Sequence, residues 1–318
     1  MSRPIDGLPG ARPAAIAPGS FTVIVRTQGR RPRSLREALD SIAAQTHDHV
    51  DTVVVVHGDT AATSDVREQI GARAGVTVVN TTDTGRGAPL NVGLRAAAGD
   101  YVCFLDDDDL AEPNWIAEAA TAAGSAPGTI VRSVTATQAW ATDGSEQPAR
   151  PMGEIEHPFP DHFDLLAHMS VNNTPICALA YPRLALEELD LWFDETLPVY
   201  EDWDLLMRAA MLLGVTSIPA VTTLYRRLDS GNADTAATVA EWEQAHAAVV
   251  DRLSAAEVVL PAGDARRLAG THFEPGSRSR HERELTELHS EMAQLTRSPV
   301  RMVKALGGRL RQSARNRR

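Results

Sequence analysis

Cysteine is nearly absent from this chain of 318 residues, with thiols only at Cys103 and Cys177. That excludes a disulfide-stapled scaffold. Cys103 sits inside an apolar run, so both residues read as core thiols of a protein in a reducing compartment, not as a bridge. Long apolar runs are missing as well, none approaching the roughly 20 residues that a membrane-spanning helix requires. Residues 1–19 are rich in Pro, Gly and Ala but hold no apolar leader stretch, and are expected to be a disordered lead-in to a cytoplasmic protein. Two catalytic signatures are absent, the GxxxxGK(S/T) phosphate loop and the G-x-S-x-G nucleophile elbow. His157, His162 and His168 stand close in sequence but lack zinc spacing and cysteine partners, which leaves them as surface or core histidines.

Basic residues are in short supply. Lys and Arg total 31 against 42 Asp and Glu, a formal net charge of −11. Eight of those cations crowd into residues 297–318, where no acid occurs, so the body is more acidic than the total suggests. An acidic body is unsuited to a nucleic-acid groove. The basic tail reads first as a solvated end; the alternative is peripheral contact with anionic lipid at the inner face of a membrane.

A hydrophobic fraction of 43% with 23% charged residues is that of a globular protein with a real core. FTVIVRT (21–27) reads as a buried strand. Ser34 to Glu37 fits a capping box opening a helix through about Ala44, with Leu35, Leu39 and Ile42 on its apolar face. VDTVVVVHGD (50–59) is apolar on both faces, as central parallel strands are. A helix over about 63–73, a strand at 76–81, the turn TGRGAP, a helix through Ala98 and a strand at 101–105 follow, and Pro113 suits the first turn of a further helix. This alternation predicts an α/β domain with a mixed, mainly parallel sheet and helices on both faces. After TIVRSVTATQAW (129–140) the alternation loosens, and a loop or small hairpin over 141–160, a helix from about Tyr200 to Gly214 and extended chain over 215–227 complete a domain assigned to residues 20–230. Residues 231–318 read as a helical extension, in which Leu285, Leu288, Met292 and Leu295 keep heptad-like spacing for only two heptads. That helix is a candidate surface for self-association.

Residues 101–113, YVCFLDDDDLAEP, set four consecutive aspartates at the end of an apolar strand. Partly desolvated carboxylates side by side are costly unless a counter-charge meets them. In open α/β sheets, ligands sit beyond the carboxyl ends of the strands, which is where Asp106 to Asp109 fall. An extended chain would point Asp106 and Asp108 one way and Asp107 and Asp109 the other. Carboxylate oxygens completed by water and substrate phosphates suit Mg²⁺ or Mn²⁺, so a divalent cation is the expected counter-charge. The plainer alternative is an acidic turn ahead of the helix at Pro113.

GRGAPLNVGLRAAAGDYVCFLDDDD, with its D-x-D at a strand end, resembles the inverting family 2 glycosyltransferases of GT-A fold. The opening FTVIVRTQGRRPRSLREALDSIAAQT is similar to the first strand and helix of that family, and FDETLPVYEDWDLLMRAAMLLG (193–214) to its acceptor-side segment. TLYRR (223–227) matches a further segment. The resemblance covers roughly residues 20–230 and implies a nucleotide-sugar donor, most readily a UDP-sugar, a sugar or lipid-linked hydroxyl acceptor, and Mg²⁺ or Mn²⁺ as cofactor. It implies that Asp108 and Asp106 meet the metal, that Asp106 and Asp107 lie near the ribose and diphosphate, and that Thr27 lines the nucleotide pocket. Asn91, on the helix before the fourth strand, belongs to the same cofactor-binding set. Asp202 of the Glu201-Asp202 pair is implied as general base, and its place in a first helical turn favours the ionised form.

Two departures bear on the donor. Where relatives usually carry an Asp pair after the second strand, this chain has His57 and Gly58, with Asp59 shifted along as the candidate reader of the base. Leu90 precedes Asn91 where Arg is common. A sugar-phosphate nucleotidyltransferase and a catalytically silent binding module of the same fold are the alternatives; the first would carry a Gly-rich basic loop that RTQGRRPRSL does not match.

Overall fold

The apolar runs near the N-terminus become parallel strands for the reason their composition suggests: they are buried on both faces. In the computed structural model, which describes residues 19–83, 85–143, 147–229 and 237–256, β1 (Phe21–Thr27), β2 (Val50–His57), β3 (Val76–Thr81) and β4 (Tyr101–Asp106) pair all in parallel, in the order β3-β2-β1-β4. Helices α1 (Pro32–Ala43), α2 (Thr60–Ile70) and α3 (Gly87–Ala96) make the crossovers. Alternate side chains of each strand serve opposite cores. Val23, Val25, Val54, Val56 and Cys103 face Leu35, Leu39 and Ile42 of α1, while Ile24, Val55 and Phe104 face Leu90 and Leu94 of α3.

Past β4 the sheet becomes mixed. The short β5 (Leu110–Ala111) is followed by α4 (Trp115–Ser125), the long β6 (Ile130–Thr142) and its hairpin partner β7 (Pro148–Pro151). After α5 (Leu165–His168) and a 3-10 turn at Ile176–Ala178, β8 (Leu179–Pro182) inserts antiparallel between β4 and β6. Helices α6 (Arg183–Glu188) and α7 (Glu201–Leu213) precede β9 (Val215–Leu228), which pairs in parallel with β6 and antiparallel with β5. The helix expected at about 63–73 starts earlier, at Thr60, because the Asp59 side chain accepts the Ala62 N–H at 2.9 Å and caps it. Helix α4 opens two residues after Pro113, at Trp115.

Helix α7 is buried on two sides. Leu205, Leu206 and Ala209 meet the sheet, while Trp203 and Met207 meet Ala245, Val249 and Leu253 of α8 (Val239–Ala255). The described part of the segment past residue 230 is therefore dominated by a helix packed on the domain. The heptad-like stretch, the basic tail and residues 1–18 lie outside the described residues. Cys103 and Cys177 are both buried and unpaired, and burial pushes both thiols up. Among the described residues no helix is long and apolar enough to cross a membrane.

Candidate active site

The four aspartates do not continue the strand. The Asp109 N–H donates to the Asp106 carbonyl at 3.1 Å, closing a turn, so the alternation expected of extended chain is lost. Each carboxylate instead meets its own partners. Arg26, at the end of β1, donates from Nε and Nη2 to the two oxygens of Asp106 at 3.0 and 2.8 Å. The hydroxyl of Thr27 donates to Asp107 and in turn accepts the Gly29 N–H at 2.9 Å. Arg31 Nη1 lies 2.6 Å from Asp108 and 3.6 Å from Asp107. Asp109 accepts the Arg226 N–H at 3.0 Å.

Arg226 is the scaffold behind this turn. Its fully buried side chain donates from Nε to the Asp108 carbonyl, from Nη1 to Glu37 at 2.6 Å and from Nη2 to Ser34 Oγ at 2.9 Å, and its guanidinium lies over the Trp140 ring at 5.2 Å. Ser34 Oγ donates to the Asp107 carbonyl at 2.6 Å. The capping box expected of Ser34 and Glu37 is thus not formed. Helix α1 starts at Pro32 with no side-chain cap, and both residues serve the acidic turn.

Guanidinium groups therefore supply counter-charge that the sequence pattern assigned to a cation alone. They do not supply enough. Burial would raise Asp106, but the Arg26 charge and its hydrogen bonds, with Arg86 and Arg31 beyond, hold that carboxyl below its usual value. Burial pushes Asp107 up to about 6 despite Thr27 and Arg31. Burial, with the charges of Asp107 and Asp106, pushes Asp108 up to about 7. Asp109 is raised well above the usual range by burial and the charges of Asp108 and Asp106. Local negative charge remains in excess.

Arg26 also ties this turn to α7. Its Nη1 donates to Glu201 at 3.1 Å and to the Arg86 carbonyl at 3.1 Å, and Arg86 Nε donates to the same Glu201 oxygen at 2.9 Å. Burial would lower the Arg26 pKa, but Asp106 and Glu201 carry it above its usual value. Gly85, next to Arg86, has φ +101° and lies so close to the chain that an added Cβ would fall 2.9 Å from the Glu195 carbonyl, which leaves room for glycine only. Tyr200, at the N-cap of α7, has φ +65°, a conformation that costs a non-glycine residue about 1–3 kcal/mol. Trp203 and Trp242 brace its ring, with centroids 5.3 and 4.8 Å away. The bend delivers Glu201 inward, buried, and leaves Asp202 half-buried. Asp202 Oδ1 accepts Asn172 Nδ2 at 3.3 Å and the Trp203 N–H at 2.7 Å.

Of the residues singled out from sequence, Thr27, Asp106, Asp107 and Asp108 come together directly, and Asp202 joins them through Glu201 and Arg26. Asn91 is engaged elsewhere: it donates to the Phe193 carbonyl at 2.9 Å and to Glu195 at 2.8 Å, and accepts the Phe193 N–H at 2.9 Å. Asp59 is exposed on the same carboxyl edge of the sheet and caps α2. His168 is buried between the Asp164 carbonyl and Thr174, whereas His162 is exposed beside Asp161. Trp203 is core, and Arg227 pairs at the surface with Glu156. The sequence pattern did not mark Arg26, Arg31, Glu37 or Asn172 as site residues. The available signal was charge inside apolar strands, since Arg26 in FTVIVRT demands a buried partner.

Among the described residues no three His, Cys, Asp or Glu side chains form a metal cage. A cation at this turn would rest on one or two carboxylates and take its remaining ligands from substrate and water, which is how Mg²⁺ is usually held.

A model of the family described as "Glycosyltransferase like family 2" matches residues 18–256. The uncharacterized glycosyltransferase YwdF of Bacillus subtilis is 26% identical over 237 residues, 74% of this chain and 82% of that protein. The putative glycosyltransferase EpsH of the same organism is 31% identical over 91 residues, 28% of this chain and 26% of its own length. The chain spans about a quarter of the length of several curated relatives it matches. The crystal structure of S. aureus TarS 1-349 in complex with UDP-GlcNAc superposes with a TM-score of 0.58 at 21% identity, covering 76% of this chain and 68% of that one. The family model spans most of the sequence, and the mixed sheet has the same fold: this chain belongs to glycosyltransferase like family 2.

Proposed function

We propose that the protein transfers a sugar from a nucleoside diphosphate donor to a hydroxyl acceptor with inversion at the anomeric carbon. The observation that carries this reading is the link that Arg26 makes between Asp106 of the acidic turn and Glu201, the sequence neighbour of Asp202 in the first turn of α7. Glu201 is buried and committed to two guanidinium groups, whereas its neighbour Asp202 stays half-buried in the first turn of α7, which supports Asp202 as the carboxylate that meets the acceptor.

The acceptor hydroxyl gives its proton to Asp202 as its oxygen bonds to the anomeric carbon, and the bond from that carbon to the diphosphate oxygen breaks on the opposite face. No covalent enzyme intermediate is required. Thr27 and Asp107 line the donor side, and the guanidinium groups of Arg31 and Arg86 favour the charge that builds on the departing diphosphate. Asp108 fits Mg²⁺ or Mn²⁺ with Asp107 beside it, in place of the expected Asp106, whose two oxygens Arg26 already holds; Asp107 and Asp108 are hard, buried oxygen donors whose charge the arginines leave partly uncompensated. Bound there, the cation supplies Lewis-acid stabilisation of the leaving diphosphate. A UDP-sugar is the first candidate donor, a choice supported by the UDP-GlcNAc held by TarS on the same fold. A sugar or lipid-linked acceptor in cell-surface polysaccharide or glycoconjugate synthesis, cytoplasmic placement, contact of residues 297–318 with anionic lipid and self-association through the C-terminal helix complete the proposal.

Calorimetric titration of UDP, GDP and dTDP, each with and without Mn²⁺, tests it against wild type and Asp108→Asn. Metal-dependent binding of one nucleotide, lost in the variant, is the expected result. Binding of none of them would leave a silent module of the same fold.

A further inference from the structure

The three arginines around the acidic turn are not equally fixed. Arg26 is held by Asp106, Glu201 and the Arg86 carbonyl, and Arg226 by Glu37, Ser34 and the Asp108 carbonyl. Arg31 meets only Asp107 and Asp108 among the described residues, both through one nitrogen, at 3.6 and 2.6 Å. It extends from the irregular stretch between β1 and α1, no backbone carbonyl among the described residues fastens its guanidinium, and its side chain keeps 15% exposure. It is the removable one. It also stands on the two carboxylates to which the proposed function assigns the divalent cation.

Resting on that assignment, we infer that Arg31 holds the place of the divalent cation in the free protein and leaves it when metal and diphosphate arrive together. A bare cation reaching Asp108 must break the Arg31 ion pair and strand a guanidinium in a half-buried position. A cation arriving with a diphosphate brings the displaced guanidinium a new partner, since its planar donors match phosphate oxygens. Metal alone therefore binds weakly, metal and nucleotide favour each other, and by linkage the preference is reciprocal. The device keeps the carboxylates compensated while no donor is present and discourages uptake of a cation without its substrate.

Binding of Mn²⁺ alone, followed by the electron paramagnetic resonance signal of the free ion, provides the test, repeated at saturating UDP. Arg31→Gln should tighten bare Mn²⁺ binding by about tenfold, the equivalent of ~1.4 kcal/mol, and reduce the mutual enhancement between Mn²⁺ and UDP. Arg31→Lys keeps a competing charge and should stay near wild type. Adding Asp108→Asn to the glutamine variant should abolish the gain. Arg31→Ala gives the same reading should the glutamine variant fail to show a cooperative thermal melt. If wild type takes up Mn²⁺ with UDP while the folded neutral variants bind bare Mn²⁺ no more tightly than it does, the inference is overturned and the proposed function stands. If no form of the protein binds Mn²⁺, with or without UDP, the inference falls together with the metal-using reading of the site.

Discussion

Arg26 and Glu201 are 175 positions apart in the chain and 3.1 Å apart in space. Through this contact the end of the first strand is joined to the start of α7, and the same guanidinium grips Asp106 on the neighbouring strand. One side chain thus sets the distance between the acidic turn and the candidate base.

Arg26→Met should strip Asp106 and Glu201 of a shared counter-charge. Removing one partner of a buried ion pair leaves the other uncompensated, and we expect a loss of about 2–4 kcal/mol in urea unfolding. Combining it with Asp106→Asn should cost less than the sum of the single changes, because the stranded charge is gone. Strict additivity would show that the pair does not act as a unit.

Asp202→Asn should leave nucleotide affinity within about twofold of wild type and lower turnover by roughly 10²–10⁴-fold, the span expected for loss of a general base. Calorimetry and initial rates with the donor identified by nucleotide binding separate the two. An equal loss in affinity would instead assign Asp202 to donor binding.

The metal-free protein should lose stability as pH rises from about 4 to 7. Unfolded aspartate titrates near 3.9, whereas burial and neighbouring charge place Asp107 at about 6 and Asp108 at about 7. The folded state holds more protons through that interval, so the unfolding free energy declines with pH, and Asp109, raised well above the usual range, adds to the decline in the same sense. Asp106, held low against burial by Arg26, acts in the opposite sense and only at lower pH. Thermal melts at about pH 5 and pH 8 in chelator should show the decline, and Asp108→Asn should flatten it.

Asn91→Ala should act on the fold. Three hydrogen bonds join this buried side chain to Phe193 and Glu195, and truncation leaves the Phe193 amide and carbonyl unpaired. A cost of about 2–4 kcal/mol is expected in chemical denaturation. A variant as stable as wild type but poor in nucleotide binding would restore Asn91 to the donor pocket.

The parallel half of the sheet was legible because its signal is local: FTVIVRT, DTVVVV and YVCFL announce strands buried on two faces. The acidic turn and α7 were legible from family resemblance and from position at the strand ends. What escaped was settled by partners far away in sequence. Ser34 and Glu37 have the spacing of a capping box, yet Arg226 lies 192 and 189 positions away and takes both. A buried guanidinium hydrogen-bonded to three partners outweighs a cap of about 1 kcal/mol. Likewise the alternation expected of Asp106 to Asp109 assumed extended chain, and one hydrogen bond from Asp109 to Asp106 turned it.

The two thiols give the molecule a built-in clock. Cys103 lies at the centre of the sheet on β4 and Cys177 in the turn that leads into β8, each with 1% or less of its surface exposed and each raised in pKa by burial. A maleimide or disulfide reagent meets neither while the sheet is closed. Each alkylation event therefore records an opening of the central strands, and the lag that bound nucleotide adds to that reaction reads how firmly an occupied acidic turn holds β4 in place.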